Sequence, residues 1–545
     1  MAFTPEQLEL LSKYVTDPTA DVFAIKGMDG LVGAVYARYS RAPGGFKETL
    51  LKEFIQAGAV DAVHAQELID RVLVAYGDDS VGELEGAHVS FEKVSAIGEK
   101  AVCDHRIGGA FIVQSTRYVY YDQPDDQGRF RYYRDPTILS SPLAKEFTTV
   151  TDRCFATYAE LVPVLKAYLE TRKPMGEAEY DINGDGKKEK FSDCVNEADV
   201  KAFKRTYTFD LRAKICDTLR VLLPLSTHHN VGVFGNGRFY QSMVSNFLTS
   251  PLREMQDMGG QAHAALTQII PKYVKRAKRS DYAAGVETAM QKLTDELTTG
   301  MVPQPADMVS LLPLVTSESK RDIRTISAML YAHCHLPISQ LETLITKLPP
   351  AGRERIWRTY VGERQTRRDR PGRALEDGYP YTFDLLVTYQ VFKDLQRHRM
   401  GTQLWQPFTP HLGYFVPDEL RELKLESKLI SCDDAVRALY DKLVAAGLRA
   451  EAQYAVLHGH KTRWVFGAND RALMHMLELR STPQGHPEYR MVSQRMHAEI
   501  KKRSPWRADM MRFVDYADYY WSRADSEARQ RVKERELDKK YRRAS

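Results

Sequence analysis

Leu473, Met474, Met476, Leu477 and Leu479 recur at helical spacing, and the pattern predicts a helix with one buried stripe. That segment opens on Asn469-Asp470-Arg471. An earlier one, NGRFYQSMVSNFL, opens in the same way on Asn236-Gly237-Arg238. Two further stretches, HVSFEKVSAIGEKAVC (88–103) and FDLLVTYQVFKDLQ (383–396), also read as helices. Long helices with a few short strands make the chain α+β. No apolar run approaches the roughly 18 residues of a membrane span. The opening MAFTPEQLELLSKYV has no basic region leading into an apolar one, so no secretory signal is read and the cytoplasm is expected.

The same elements come in pairs. Residues 104–121 read DHRIGGAFIVQSTRYVYY and residues 397–415 read RHRMGTQLWQPFTPHLGYF. Both carry x-His-Arg, a Gly two residues on, then a Gln and a Tyr/Phe-rich exit. Each is preceded by one of the two stretches above and followed by one of the two Asn-x-Arg segments. The two histidines lie 293 residues apart and the two asparagines 233, so the first copy holds about 60 extra residues between its motifs. Their place is around 122–205. The reading is therefore two homologous domains, 1–300 and 301–545, each a small, mainly antiparallel sheet with long helices.

The chain has 545 residues, enough for several domains and a large combined core. Its six cysteines form no C-x-x-C pair, and reduced thiols are expected. His333-Cys334-His335 lacks a second ligand pair at finger spacing, so no metal is assigned. Asp181, Asn183, Asp185 and Gly186 imitate the start of a calcium loop. Lys188 and Ser192 then stand where an apolar residue and a bidentate Glu belong, and a surface insertion with turn residues is the better reading. The net charge of +5 is small, but residues 353–373 hold eight arginines against three acids. That run either faces phosphate or is an exposed, internally paired loop. No nucleic-acid motif accompanies it, and nucleic acid is not an expected partner. The tail from Ser522 onward mixes signs at i,i+4 spacing and reads as a solvated, partly helical end.

These motifs resemble those of the flavin-dependent thymidylate synthases, twice over. That family carries R-H-R-x7-S followed by x-R-Y, an upstream A-R-x-S segment, and a downstream N-x-R…L-R…H segment. Ala37-Arg38-Tyr39-Ser40 resembles the early segment, and Tyr76-Gly77-Asp78-Asp79-Ser80 resembles the family's Y-G-H-x-S with Asp78 for His. Gln114-Ser115-Thr116-Arg117-Tyr118 is similar to the S-x-R-Y end. In the second copy Arg397-His398-Arg399 is an intact R-H-R, while Asn469, Arg471, Leu479-Arg480 and His486 resemble the downstream segment, with Ser504-Pro505-Trp506 at its exit. The departures are complementary. The first copy has Asp104 for the first Arg, one extra residue before Ser115, Val113 where an acid is usual, and Phe247 where the downstream Arg belongs. The second has Pro407 and Thr409 where Ser and Arg belong.

The resemblance implies an FAD-dependent enzyme that methylates dUMP to dTMP, with methylenetetrahydrofolate and NAD(P)H as co-substrates and no covalent catalytic residue. It implies active sites at subunit junctions. Only one kind of junction is then complete, a hybrid using both repeats. Its expected substrate-binding residues are Gln114, Ser115, Arg117, Arg397 and Arg480. Its expected cofactor-binding residues are Arg38, Ser40, His398, Arg399, Asn469, Arg471 and His486. A cationic Arg-His-Arg cluster would favour reduced, anionic flavin. A homodimer rebuilding a pseudo-tetramer is expected. The altered loop leaves two alternatives open, a flavoprotein for another pyrimidine nucleotide and a non-catalytic nucleotide-binding homologue.

Overall fold

In the computed structural model the described residues are all except 1–2, 29–30, 41–43, 57–58, 70–80, 377, 522–526, 531, 535–536 and 538–545. The Tyr76–Ser80 motif and most of the mixed-sign tail lie outside them. Contacts divide the chain into two compact units. The first is Met1–Val94, Gly98–Gln114 and His229–Ala284; the second is Ser95–Ile97, Ser115–His228 and Gly285–Ser545.

Each unit has its own antiparallel sheet, and the two sheets share one topology. In the first, Gly86–Val94 and Gly109–Val113 flank the central strand His229–Asn236. In the second, Tyr381–Thr388 and Thr402–Trp405 flank the central Lys461–Ala468, and the short Val309–Leu311 adds an outer edge. In both, the last strand in sequence enters the middle and leads into a helix, Gly237–Thr249 or Asp470–Arg480. This is the α+β, duplicated architecture that the paired motifs imply.

Two expectations need correction. Residues 88–103 and 383–396 are not continuous helices. Each begins as a strand and becomes helical only at Ala96–Cys103 and Tyr389–Leu395. In VSFEKV and FDLLVT the β-branched and aromatic residues pair along the central strand, and this tertiary pairing overrides a weak helical pattern. The predicted stripe on Asp470–Arg480 is narrower than expected: Leu473, Met476 and Leu477 are buried, whereas Leu479 is 47% exposed.

The paired asparagines have one shared job. Asn236 Oδ1 accepts the Phe239 N–H at 2.8 Å, and Asn469 Oδ1 accepts that of Ala472 at 3.0 Å. Each is the N-cap of its helix, holding an amide that has no partner within the first turn. Asn469→Ala is expected to cost about 1 kcal/mol of unfolding free energy, read by urea denaturation. The glycines after x-His-Arg are required for different reasons. Gly108 sits at φ +82°, a conformation that disfavours side chains. At Gly401 a Cβ would lie 2.5 Å from the Phe466 ring.

The connection into the central strand is about twice as long in the first repeat. It contains the helix Ala144–Arg172, a hairpin pairing Glu179–Tyr180 with Glu189–Lys190, and the helix Glu197–Leu219. The calcium-like segment is the tip of that hairpin. Asp181 accepts the backbone N–H groups of Gly184 and Gly186, and Glu189 accepts from Asn183 and Ile182. Within the second unit, Ala144–Arg172 lies antiparallel to Glu426–Ala445, with ion pairs Glu146–Lys442 and Glu160–Lys428 each at 2.7 Å. The segments leading into the two central strands also bond to each other there. Leu225 N–H donates to the Val456 carbonyl at 2.7 Å, and His458 N–H to that of Leu223 at 2.8 Å. Part of the arginine run is paired within the protein: Arg355 chelates Glu296 with two bonds of 2.7 Å, and Arg364 donates to the Asp369 carbonyl.

Candidate functional site

Ser115–Tyr118 is a turn immediately after the strand Gly109–Val113. Tyr118 N–H donates to the Ser115 carbonyl at 3.3 Å, and Ser115 Oγ accepts the Arg117 N–H at 3.2 Å. The turn directs Arg117 into the interior, where it is 5% exposed. Its Nε and Nη2 donate to the two oxygens of Asp217 at 2.6 Å each, and Nη1 donates to the Gln484 carbonyl at 3.1 Å. Burial works against both charges. The pair outweighs it, so Arg117 is held above and Asp217 below the ordinary range.

Asp217 lies in the last turn of the Glu197–Leu219 helix, and three residues on comes Arg220, its C-cap, which is 1% exposed. Arg220 Nη2 bonds Asp394 Oδ2 at 3.1 Å, while its buried Nε has no hydrogen-bond partner among the described residues. Arg397 Nη2 lies 3.8 Å from the other Asp394 oxygen. Burial would raise the Asp394 pKa, but Arg220, Arg397, Arg117 and Arg480 together pull it well below the usual carboxylate range.

Arg480 closes the cluster. Its Nε donates to His398 Nε2 at 2.7 Å, and its guanidinium lies 5.7 Å from the centre of the Tyr489 ring. Burial, together with Arg480, His475 and Arg397, lowers the His398 pKa to about 3. His398 is therefore neutral at pH 7, accepts through Nε2 and carries its proton on Nδ1. This corrects the cationic Arg-His-Arg: the histidine adds no charge, because burial among arginines excludes the imidazolium. The positive charge comes from the guanidinium groups alone. Arg117, Arg220, Arg397 and Arg480 surround two carboxylates, Asp217 and Asp394. The two buried guanidinium groups are matched within the cluster, Arg117 by Asp217 and Arg220 by Asp394. Arg397 is exposed and Arg480 half-buried, and a planar fork of donors suits phosphate.

The remaining expected residues fall as follows. His486 caps the helix Pro487–Arg503: Nδ1 accepts the Glu488 N–H at 3.2 Å and Nε2 faces the Asp217 carbonyl at 3.4 Å. Burial lowers its pKa to about 3. Arg399 and Arg471 are exposed in the same unit. Gln114 belongs to the first unit, where its N–H bonds the Asn230 carbonyl at 2.9 Å. So do Arg38, paired with Glu53 at 2.6 Å, and Ser40, whose Oγ donates to the Ala37 carbonyl.

The first unit repeats the His–helix contact without the charge. His105 Nε2 meets Asn246 Nδ2 at 3.0 Å, and its ring packs edge-on against Phe247 at 5.6 Å. Phe247 occupies the sequence position of Arg480, so an apolar edge contact stands where the second unit has a guanidinium. Thr409 and Pro407 serve backbone structure. Thr409 Oγ1 accepts the His411 N–H, and the Pro407 carbonyl accepts from His335 Nε2 at 3.0 Å. Burial lowers the His335 pKa to about 4. Among the described residues, no group of three or more His, Cys, Asp or Glu is placed to hold a metal ion.

Asp217, Arg220, Asp394 and Tyr489 were not read from the sequence. The one trace is an Asp three residues ahead of an Arg, in Asp217-x-x-Arg220 and again in Asp394-x-x-Arg397.

The family model of the thymidylate synthase complementing protein matches this chain twice, over residues 31–272 and 366–506, more than half of its length. The chain belongs to that family. The two matches fall on the two repeats and each includes one copy of the paired sheet elements. Similar full-length relatives include the UPF0159 proteins of Chlamydia muridarum and Chlamydia pneumoniae. Each is 33% identical over 97% of this chain, covering 99% and 98% of the relative. A third, from Thermoplasma acidophilum, is 27% identical over 92% of this chain and 98% of its own length. Among solved structures, the UMP/dUMP methylase PolB of Streptomyces cacaoi, bound with 5-Br dUMP, overlaps 46% of this chain and 89% of its own. Its identity is 16% and its TM-score 0.28, an overlap that adds nothing to the family match. Among the described residues no helix is long and apolar enough to cross a membrane.

Proposed function

We propose that this family member is an FAD-dependent thymidylate synthase that methylates dUMP, with methylenetetrahydrofolate and NAD(P)H as co-substrates. Its nucleotide site is the cluster in the second unit, built from both repeats. The observation that carries the reading is that Arg397 and Arg480 stand beside the Arg117–Asp217 and Arg220–Asp394 pairs, because a phosphate monoester dianion matches the two guanidinium charges left over. Arg480 and Arg397 are the phosphate donors, and Ser115 Oγ adds a hydroxyl at the turn. Arg117 is chelated by Asp217 and acts through its remaining Nη1 face. The domain boundary at residue 300 and the homodimeric pseudo-tetramer belong to the same proposal, and sedimentation of the purified chain tests the latter.

The residues present fit a flavin in part. Exposed Arg399 and Arg471 suit its diphosphate. His398 Nδ1, with no hydrogen-bond partner among the described residues, is a donor for a ring acceptor. Asn469 and His486 use their polar atoms on helix caps, so they shape the backbone that presents these side chains. When bound, reduced flavin supplies the hydride. The chain's own residues hold the nucleotide, exclude water and stabilise negative charge developing on the pyrimidine.

Purified protein should carry flavin absorbance and release tritium from dUMP labelled at C5 when methylenetetrahydrofolate and NADPH are present. Flavin without tritium release would favour the reading as a flavoprotein for another pyrimidine nucleotide. Absence of both would leave a nucleotide-binding homologue.

A further inference from the structure

We propose that the outer face of the helix Glu197–Leu219 holds a second ligand site. Its ligand is a small oligo-anion bearing a planar ring, the chemistry of a nucleoside di- or triphosphate. An open groove of about 710 Å³ runs along this face. Lys201, Lys204, Arg205 and Arg212 line it, all exposed, with Thr208 between them and Phe209 in its floor.

Three observations point to an anion. First, none of the four cations has a carboxylate within ion-pair distance among the described residues, and Glu197 at the groove's end pairs with none of them. The same helix does pair Lys214, off this groove, with Glu419 at 2.5 Å. Second, Lys201 and Arg205 stand four residues apart and repel, which weakens a helix unless something neutralises them. Third, the groove has an aromatic floor. Phe209 lines it between the cations and is backed by the Tyr118 ring at 5.4 Å. Its ring offers a planar group a stacking surface beside the cations.

Size separates a small ligand from a nucleic-acid strand. The groove volume falls within the range of roughly 300–1,000 Å³ typical of small-molecule sites. The cationic stripe from Lys201 to Arg212 is only about 16 Å long at 1.5 Å per residue. The groove also adjoins the Arg117 turn, since Tyr118 both ends that turn and packs on Phe209.

Isothermal titration of the full-length protein with ATP and with inorganic tripolyphosphate tests the site. Both should bind saturably, ATP more tightly, and excess dUMP should displace neither. The triple variant Lys201→Gln, Lys204→Gln, Arg205→Gln changes only exposed side chains and should weaken both at least about tenfold. Phe209→Ala should weaken ATP and leave tripolyphosphate unchanged. Failure of either ligand to saturate, undiminished binding by the triple variant, or displacement by dUMP overturns the proposal. Equal affinity for the two ligands overturns its ring component.

Discussion

Arg480→Ala should weaken dUMP binding by about 30-fold to 1,000-fold, the effect of deleting a charged hydrogen-bond donor worth about 2–4 kcal/mol in a largely desolvated site. Arg117 needs a more careful design. Its alanine variant leaves Asp217 buried and unpaired, a change that costs about 3–5 kcal/mol whatever the ligand does. Loss of binding in that variant alone would not separate a ligand contact from a collapsed interior. The double variant Arg117→Ala, Asp217→Ala removes both charges and should recover much of the stability. Shared use of Arg117 and Arg480 predicts that this recovered protein, followed by calorimetric titration with dUMP, still binds poorly. Wild-type affinity in the double variant would make Arg117 a purely internal partner and remove it from the site.

Acid should destabilise the protein well before its carboxylates titrate. His398 and His486 each have a pKa of about 3 in the folded chain against 6.5 when exposed. The unfolded chain therefore takes up protons that the folded chain refuses, and stability falls as pH drops from about 6.5 toward 3. At pH 5 each histidine contributes a loss of about 2 kcal/mol, roughly 4 kcal/mol for the two. Buried His335, His460 and His333 add to it in the same direction. Asp217 and Asp394 act in a separate window. Their pKa values are lowered by the arginines, so their contribution persists through pH 5 and is lost only below the ordinary carboxylate value near 3.8. Buried Asp384 and Glu488 oppose this trend, because burial raises their pKa values and their penalty fades as pH falls. Urea midpoints at pH 7, 6 and 5 are therefore compared between the wild type and a His398→Gln, His486→Gln variant, and an equal pH dependence in the two contradicts neutral, buried imidazoles at 398 and 486.

Much of the architecture was legible because the chain states it twice. Paired x-His-Arg and Asn-x-Arg segments showed the duplication, the apolar spacing after Asn469 showed one of the two following helices, and the length difference placed the long insertion, but no strand was placed. The strand-to-helix transitions at Ser95 and Thr388 were not legible. Short apolar runs suit either element, and pairing with a central strand far along the chain decides between them. In the site, the arginines stood out through motif spacing, whereas Asp217 and Asp394 did not. A buried acid is recognisable only by its partners, and here those partners lie 100 residues away for Asp217 and 174 for Asp394. The charge state of His398 was likewise hidden, since it depends on burial rather than on its cationic neighbours in sequence.

The bond from Arg117 to the Gln484 carbonyl joins residues 367 positions apart. A ribosome must therefore release the chain through Gln484 before the cluster can close, and no shorter nascent fragment contains it. Contacts of such long range form late and slowly. Proteolytic nicks or truncations that spare every named side chain but sever this span should act on assembly rather than on chemistry. A single reading frame also fixes the two repeats at equal numbers in every molecule, so the cluster never depends on the relative expression of two separate subunits.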